Sequence, residues 1–119
     1  MEDQDAILIK NLKQIFKDEN QVKDLVRIFV TTVPENLEKM ESGFLNGEKK
    51  VLRSVAHSLK PSIVMTGDEQ LISALTEVHQ FARGKKEMSN ESVREKIAEM
   101  KQRLAVIINE LNRSPYMDS

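Results

Sequence analysis

Residues 48–67, EKKVLRSVAHSLKPSIVMTG, decide the fold. Leu52, Val55, Ala56, Leu59 and Ile63 recur at the three- and four-residue spacing of one face of an α-helix. With Leu52 at zero and about 100° per residue, Ala56, Leu59 and Ile63 fall within about 40° of it, which marks the direction of a core. Pro61 opposes this reading locally. Inside a helix it lacks the N–H that would bond the carbonyl of His57, four residues back, and its ring clashes there, at a cost of about 3 kcal/mol. The stripe nevertheless continues to Ile63, so a helix is predicted over 48–66, with Gly67-Asp68 as its stop.

Four more segments carry the same period. The first, over 5–17, places Leu8, Leu12, Ile15 and Phe16 on one side; Asp18-Glu19-Asn20 then interrupts, and Asn20 is a cap for the second segment. That second segment, over 21–46, keeps Val22, Leu25, Val26, Phe29, Val33, Leu37, Met40 and Phe44 in register across Pro34, which predicts one kinked helix ending at Asn46-Gly47. Asp68 caps a segment over 69–83 with Leu71, Ala74, Leu75, Val78 and Phe81, closed by Gly84. The last, over 91–112, carries Val93, Ile97, Met100, Leu104, Ile107 and Leu111. Residues 113–119 read as a disordered tail. Short connections between long helices favour antiparallel neighbours. The expected architecture is therefore all-α: an up-down-up-down four-helix bundle with a short additional N-terminal helix, forming one domain with its core over 5–112.

Composition narrows the function classes. The 119 residues suffice for one core without staples, and there is no cysteine, which excludes disulfides, thiolate metal sites and cysteine nucleophiles. Eighteen basic against nineteen acidic residues give a net charge of −1, and there is no Trp and one Tyr. Neither phosphate neutralisation nor base stacking is supported, so no nucleic-acid partner is expected. No apolar run reaches the roughly 18 residues of a membrane span, and the acidic start MEDQDAILIKNL is unlike an export signal. A cytoplasmic, membrane-free protein is expected. The four glycines are scattered at predicted helix ends, so no nucleotide-binding loop is visible, and no carboxylate pair or Ser-His-Asp set stands out.

What remains is the polar side of the Pro61 helix. His57 falls at about 140° from the core direction, with Arg53 near 100°, Lys60 near 80° and Lys50 near 160° by the same arithmetic. Val64 falls near 120° and Pro61 near 180°, with Met65 close by. The imidazole is thus expected to face solvent among three cations and some apolar surface. A neutral imidazole is a competent nucleophile toward phosphorus, and Lys60, at i+3, lies within reach to balance a phosphoryl dianion. His79, beside the core stripe of its own helix and without an evident cationic neighbourhood, reads as a boundary residue. A metal site built on the two histidines has no spaced carboxylate to support it, and none is expected.

AHSLKPSIVMTG resembles the signature of histidine-containing phosphotransfer (HPt) domains, which runs Ala-His-x-Leu-Lys-Gly and ends on a glycine further along. His57, Leu59, Lys60 and Gly67 match; Pro61 stands where the pattern has glycine. The similarity extends over 5–112. It implies a bundle that accepts a phosphoryl group on histidine from the aspartate of a response-regulator receiver and passes it to another receiver, without an ATP site of its own. By position, His57 is the phosphoryl acceptor, Lys60 the residue that balances its charge and Gly67 the helix end. Lys50, Arg53, Ser54, Pro61, Val64 and Met65 form the docking surface. The implied partners are receiver domains and a hybrid sensor kinase; the chain carries no cofactor, Mg²⁺ residing on the receiver, and acts as a monomer. Two other readings stay open: a helical adaptor indifferent to phosphate, and a bundle that self-associates through the stripe of 93–111.

Overall fold

A computed structural model of the chain describes residues 6–117. Five α-helices follow in order: α1 (Ile7–Ile15), α2 (Glu19–Leu45), α3 (Lys49–Met65), α4 (Glu69–Ala82) and α5 (Asn90–Asn112), with a 3₁₀ turn at Pro115–Met117. No strand occurs among the described residues. α2 packs against α3 and α5, α3 against α4, and α4 against α5, closing a ring of four helices; α1 lies across α2 and α3.

The apolar stripes form one core. Leu52, Ala56, Leu59 and Ile63 of α3 meet Val22, Val26, Phe29, Val33, Leu37 and Met40 of α2, with Leu71, Ala74, Leu75 and Val78 of α4. All six stripe residues of α5 are buried. Burial of such side chains stabilises the fold by about 1.5–3 kcal/mol each, and on amphipathic helices this outweighs local propensity. That is why α2 and α3 run without interruption through Pro34 and Pro61.

The helix ends follow backbone chemistry. Gly47, Gly67 and Gly84 all adopt positive φ just past α2, α3 and α4, the conformation that ends a helix at least steric cost in glycine. Asp68 caps α4, its carboxylate accepting from the Leu71 N–H at 3.0 Å. α2 is capped by Asp18 rather than Asn20: the helix begins at Glu19, and Asp18 Oδ1 accepts from the Asn20 N–H at 2.9 Å. Ser89 caps α5 through the Ser92 N–H.

Three expectations are corrected. Ile15 is not in the core: α1 ends there, and the side chain is 57% exposed, while Ile9 takes the buried place. Phe16, just beyond, has extended backbone and is half-buried. The supposed disordered tail is ordered through residue 117. Tyr116 is 5% exposed, its hydroxyl donates to Glu19 Oε2 at 3.2 Å, and the Lys13 ammonium lies 5.4 Å from its ring centroid. An apolar ring with one polar tip explains this docking, since the ring is buried and the tip stays partnered. Residues 118–119 and the start of the first segment at Asp5 lie outside the described residues.

Candidate functional site

The outer face of α3 carries the residues singled out in the sequence. Lys50, Arg53, Ser54, His57, Lys60, Pro61 and Val64 are exposed, while Ala56, Leu59 and Ile63, one step away on the wheel, are buried. Val64 is 48% exposed although apolar. Met65 is half-buried against the core, and its carbonyl accepts from Asn11 Nδ2 of α1 at 2.7 Å, fixing α1 beside the end of α3.

His57 stands on the divide between two hollows of about 500 Å³ each. On the α4 side, Lys50, Arg53, Ser54 and Ser58 of α3 face His79 and Arg83. This hollow is basic, with hydroxyls at hand and no carboxylate in its lining. On the α1 side, Lys60, Pro61, Val64 and Met65 face Asn11, Gln14 and Ile15. That hollow is largely apolar, with one lysine at its edge. The expected docking residues sort to either side of the imidazole, basic on one and largely apolar on the other. Gly67 lies apart from both hollows at the helix end, its Cα packed close to Ile7 of α1.

Sequence reasoning missed the α4 side. His79 has its ring centroid 5.9 Å from that of His57, with the planes tilted by 54°. The expectation of a boundary position holds, since the residue is half-buried, but the expectation of no cationic neighbourhood does not. Burial first, then the charges of Arg83, His57, Lys60 and Arg53, lower its affinity for a proton below that of an ordinary imidazole. A signal was available: Arg83 follows His79 by four residues, so the two share a helix face. What no sequence spacing shows is that this face meets His57 across the α3–α4 packing.

Several other charges are engaged elsewhere. Glu41 of α2 pairs with Lys101 of α5 at 2.9 Å. Glu77 pairs with Lys86 and Lys96, at 2.9 and 3.2 Å. Asp68 accepts from Arg103 of α5 at 3.1 Å from Nε. No group of three or more His, Cys, Asp or Glu suited to a metal ion occurs among the described residues. Nor is any helix among them long and apolar enough to cross a membrane.

An exposed imidazole bordered by cations on one side and apolar surface on the other can accept an electrophile delivered by a second protein. The cations balance negative charge, and the apolar flank gives that protein something to cover. The family model described as the Hpt domain matches residues 24–112, from within α2 to the end of α5. No curated protein and no solved structure matches the chain.

Proposed function

The chain belongs to the Hpt domain family, whose members carry phosphoryl groups on histidine in two-component signalling, and we propose that it relays a phosphoryl group between receiver aspartates through His57. The observation that carries this reading is the exposed His57 ring at the meeting of a basic and an apolar hollow.

In the proposed step the lone pair of the unprotonated ring nitrogen attacks the phosphorus of a receiver aspartyl phosphate. The N–P bond forms as the P–O bond breaks, and the electron pair of that bond leaves on the aspartate carboxylate. The proton on the other ring nitrogen stays in place. Lys60, which edges the apolar hollow beside His57, balances the arriving dianion, with Arg53 and Lys50 on the far side. Val64, Pro61, Met65 and Ile15 supply the surface that the receiver covers, while Ser54 and Lys50 meet its polar rim. The Mg²⁺ of the exchange belongs to the receiver. The protein contributes position and charge balance rather than acid–base machinery. In this reading α2 to α5 run in antiparallel up-down-up-down order, which the short connections at 46–48 and 66–68 support.

The test is transfer of label from a phosphorylated receiver. Wild type takes up acid-labile, alkali-stable label; His57→Gln takes up none while keeping its helical circular dichroism. Lys60→Ala accepts label more slowly by about tenfold or more. Label on His57→Gln equal to wild type would overturn the assignment, and an unchanged rate in Lys60→Ala would remove that residue from the mechanism.

A further inference from the structure

The basic hollow holds a second imidazole beside that of His57. His79 is half-buried, 5.9 Å from His57 between ring centroids, and both rings line the same hollow. The groups that face it from α3 are Lys50, Arg53, His57 and Lys60, and from its own helix Arg83. α5 also packs against α4, but its Lys96 is paired with Glu77, which lies about 160° around α4 from His79. No carboxylate lines the hollow.

In the resting protein, then, every charged neighbour opposes a proton on His79, and partial burial opposes it further. A phosphoryl group on His57 would place about two negative charges beside the same ring. Those charges act against the surrounding cations, at a separation where opposite charges couple strongly.

We propose that His79 takes a proton from solvent when His57 becomes phosphorylated, donates a hydrogen bond to a phosphoryl oxygen, and releases that proton when the group leaves. Phosphoryl storage on this chain is thereby linked to proton uptake, and moderately acidic conditions favour the loaded form. The linkage works in the window between the two titration midpoints of His79. The midpoint of the resting form lies below the ordinary imidazole value near 6.5, and that of the loaded form lies above the resting one. No covalent bond changes at His79 apart from the N–H that forms and breaks. The inference rests on His57 being the phosphoryl acceptor.

The chain has only two histidines, so ring proton–carbon NMR signals are assigned by comparison with His57→Gln. Phosphoramidate serves as donor, with ³¹P spectra reporting loading on His57. On loading, the His79 midpoint rises by about one pH unit or more, a tenfold or greater gain in proton affinity. His79→Gln, which keeps a hydrogen-bond donor but does not titrate, still loads. The ratio of wild-type to variant phosphohistidine lifetime increases as pH falls from about 8 to about 6. An unchanged His79 midpoint in a protein loaded on His57 overturns the linkage and leaves the acceptor assignment standing, as does a lifetime ratio that is flat with pH. A ³¹P signal that persists in His57→Gln and is absent from His57 in wild type overturns both.

Discussion

Gly67 and Ile7 occupy one steric niche: a Cβ built on Gly67 would come within 2.7 Å of Ile7 Cγ2. The contact brings the start of α1 onto the end of α3, and Asn11 ties α1 to the same place through Met65. α1 in turn forms one wall of the apolar hollow beside His57. Glycine is needed at 67 for a second reason, its φ of +69°, which side-chain-bearing residues adopt at a cost of about 1 kcal/mol.

Gly67→Ala is therefore expected to destabilise the protein by about 2 kcal/mol, read from urea unfolding followed by circular dichroism. Ile7 is 53% exposed, so Ile7→Ala alone costs little. In the double variant the steric share is relieved and only the conformational share remains, giving a coupling of about 1 kcal/mol. Additive single effects would show that α1 does not bear on Gly67.

Asp68 joins three helices, capping α4, following the end of α3 and pairing with Arg103 of α5. Burial alone would raise its pKa, but the hydrogen bond from Arg103 and the Leu71 N–H, with the Arg103 charge, outweigh it and leave the pKa below the ordinary carboxylate value. A folded-state pKa below the unfolded one stabilises above the unfolded value, near 3.9, and that contribution is lost as pH falls through the folded value. Asp68→Asn keeps a competent cap and loses the charge; with the Arg103 side chain 40% exposed, its expected cost at neutral pH is about 1 kcal/mol. Asp68→Ala loses both roles and costs about 2 kcal/mol. The gap between wild type and Asp68→Asn should close under acid conditions; a gap independent of pH would refute the charge argument.

The helices were readable because their stripes are long relative to the period of 3.6 residues. Leu52 to Ile63 and Val93 to Leu111 lie where the pattern puts them. The misreadings fall where a tertiary relation decides. Ile15 fits the period of α1 but is its last residue and faces the open hollow beside His57 instead of the core. Asp18 and Asn20 are both good caps, and the choice turns on where the chain leaves its extended turn at Phe16. Tyr116 has no periodic neighbours at all and is held by Glu19, distant in sequence. Half of the candidate site was legible as the outward face of α3. His79 and Arg83 were not, because only the packing of α4 on α3 brings them to His57.

Pro61 sits in the middle of an exposed helical face and has no N–H to donate to the His57 carbonyl. Pro61→Ala restores that N–H and removes the ring, and should stabilise the protein by about 1–3 kcal/mol. Pro61→Gly, the residue of the family pattern, should gain about 1 kcal/mol less than alanine does. Hydrogen exchange at the new amide reports whether it bonds within the helix. A variant no more stable than wild type would mean that the local backbone is already relaxed around the proline.

Ile15 and Val64 offer the sharpest separation of docking from chemistry. Both are apolar and about half exposed, on opposite walls of the hollow beside His57, and neither contributes to the core. Replacing either by Gln should therefore change stability by no more than about 0.5 kcal/mol. If the receiver covers this surface, each change removes the burial of an aliphatic side chain from the complex. That is worth about 1.5 kcal/mol or more, or about tenfold in affinity. Phosphoramidate needs no such surface and should load His57 in these variants at the wild-type rate. The expected pattern is thus slower acceptance from a phosphorylated receiver at low receiver concentration, recovery at saturation, and no change with the small donor. Equal slowing with both donors would place the defect at the imidazole itself, and no slowing with either would move the receiver's footprint away from the α1 side of the site.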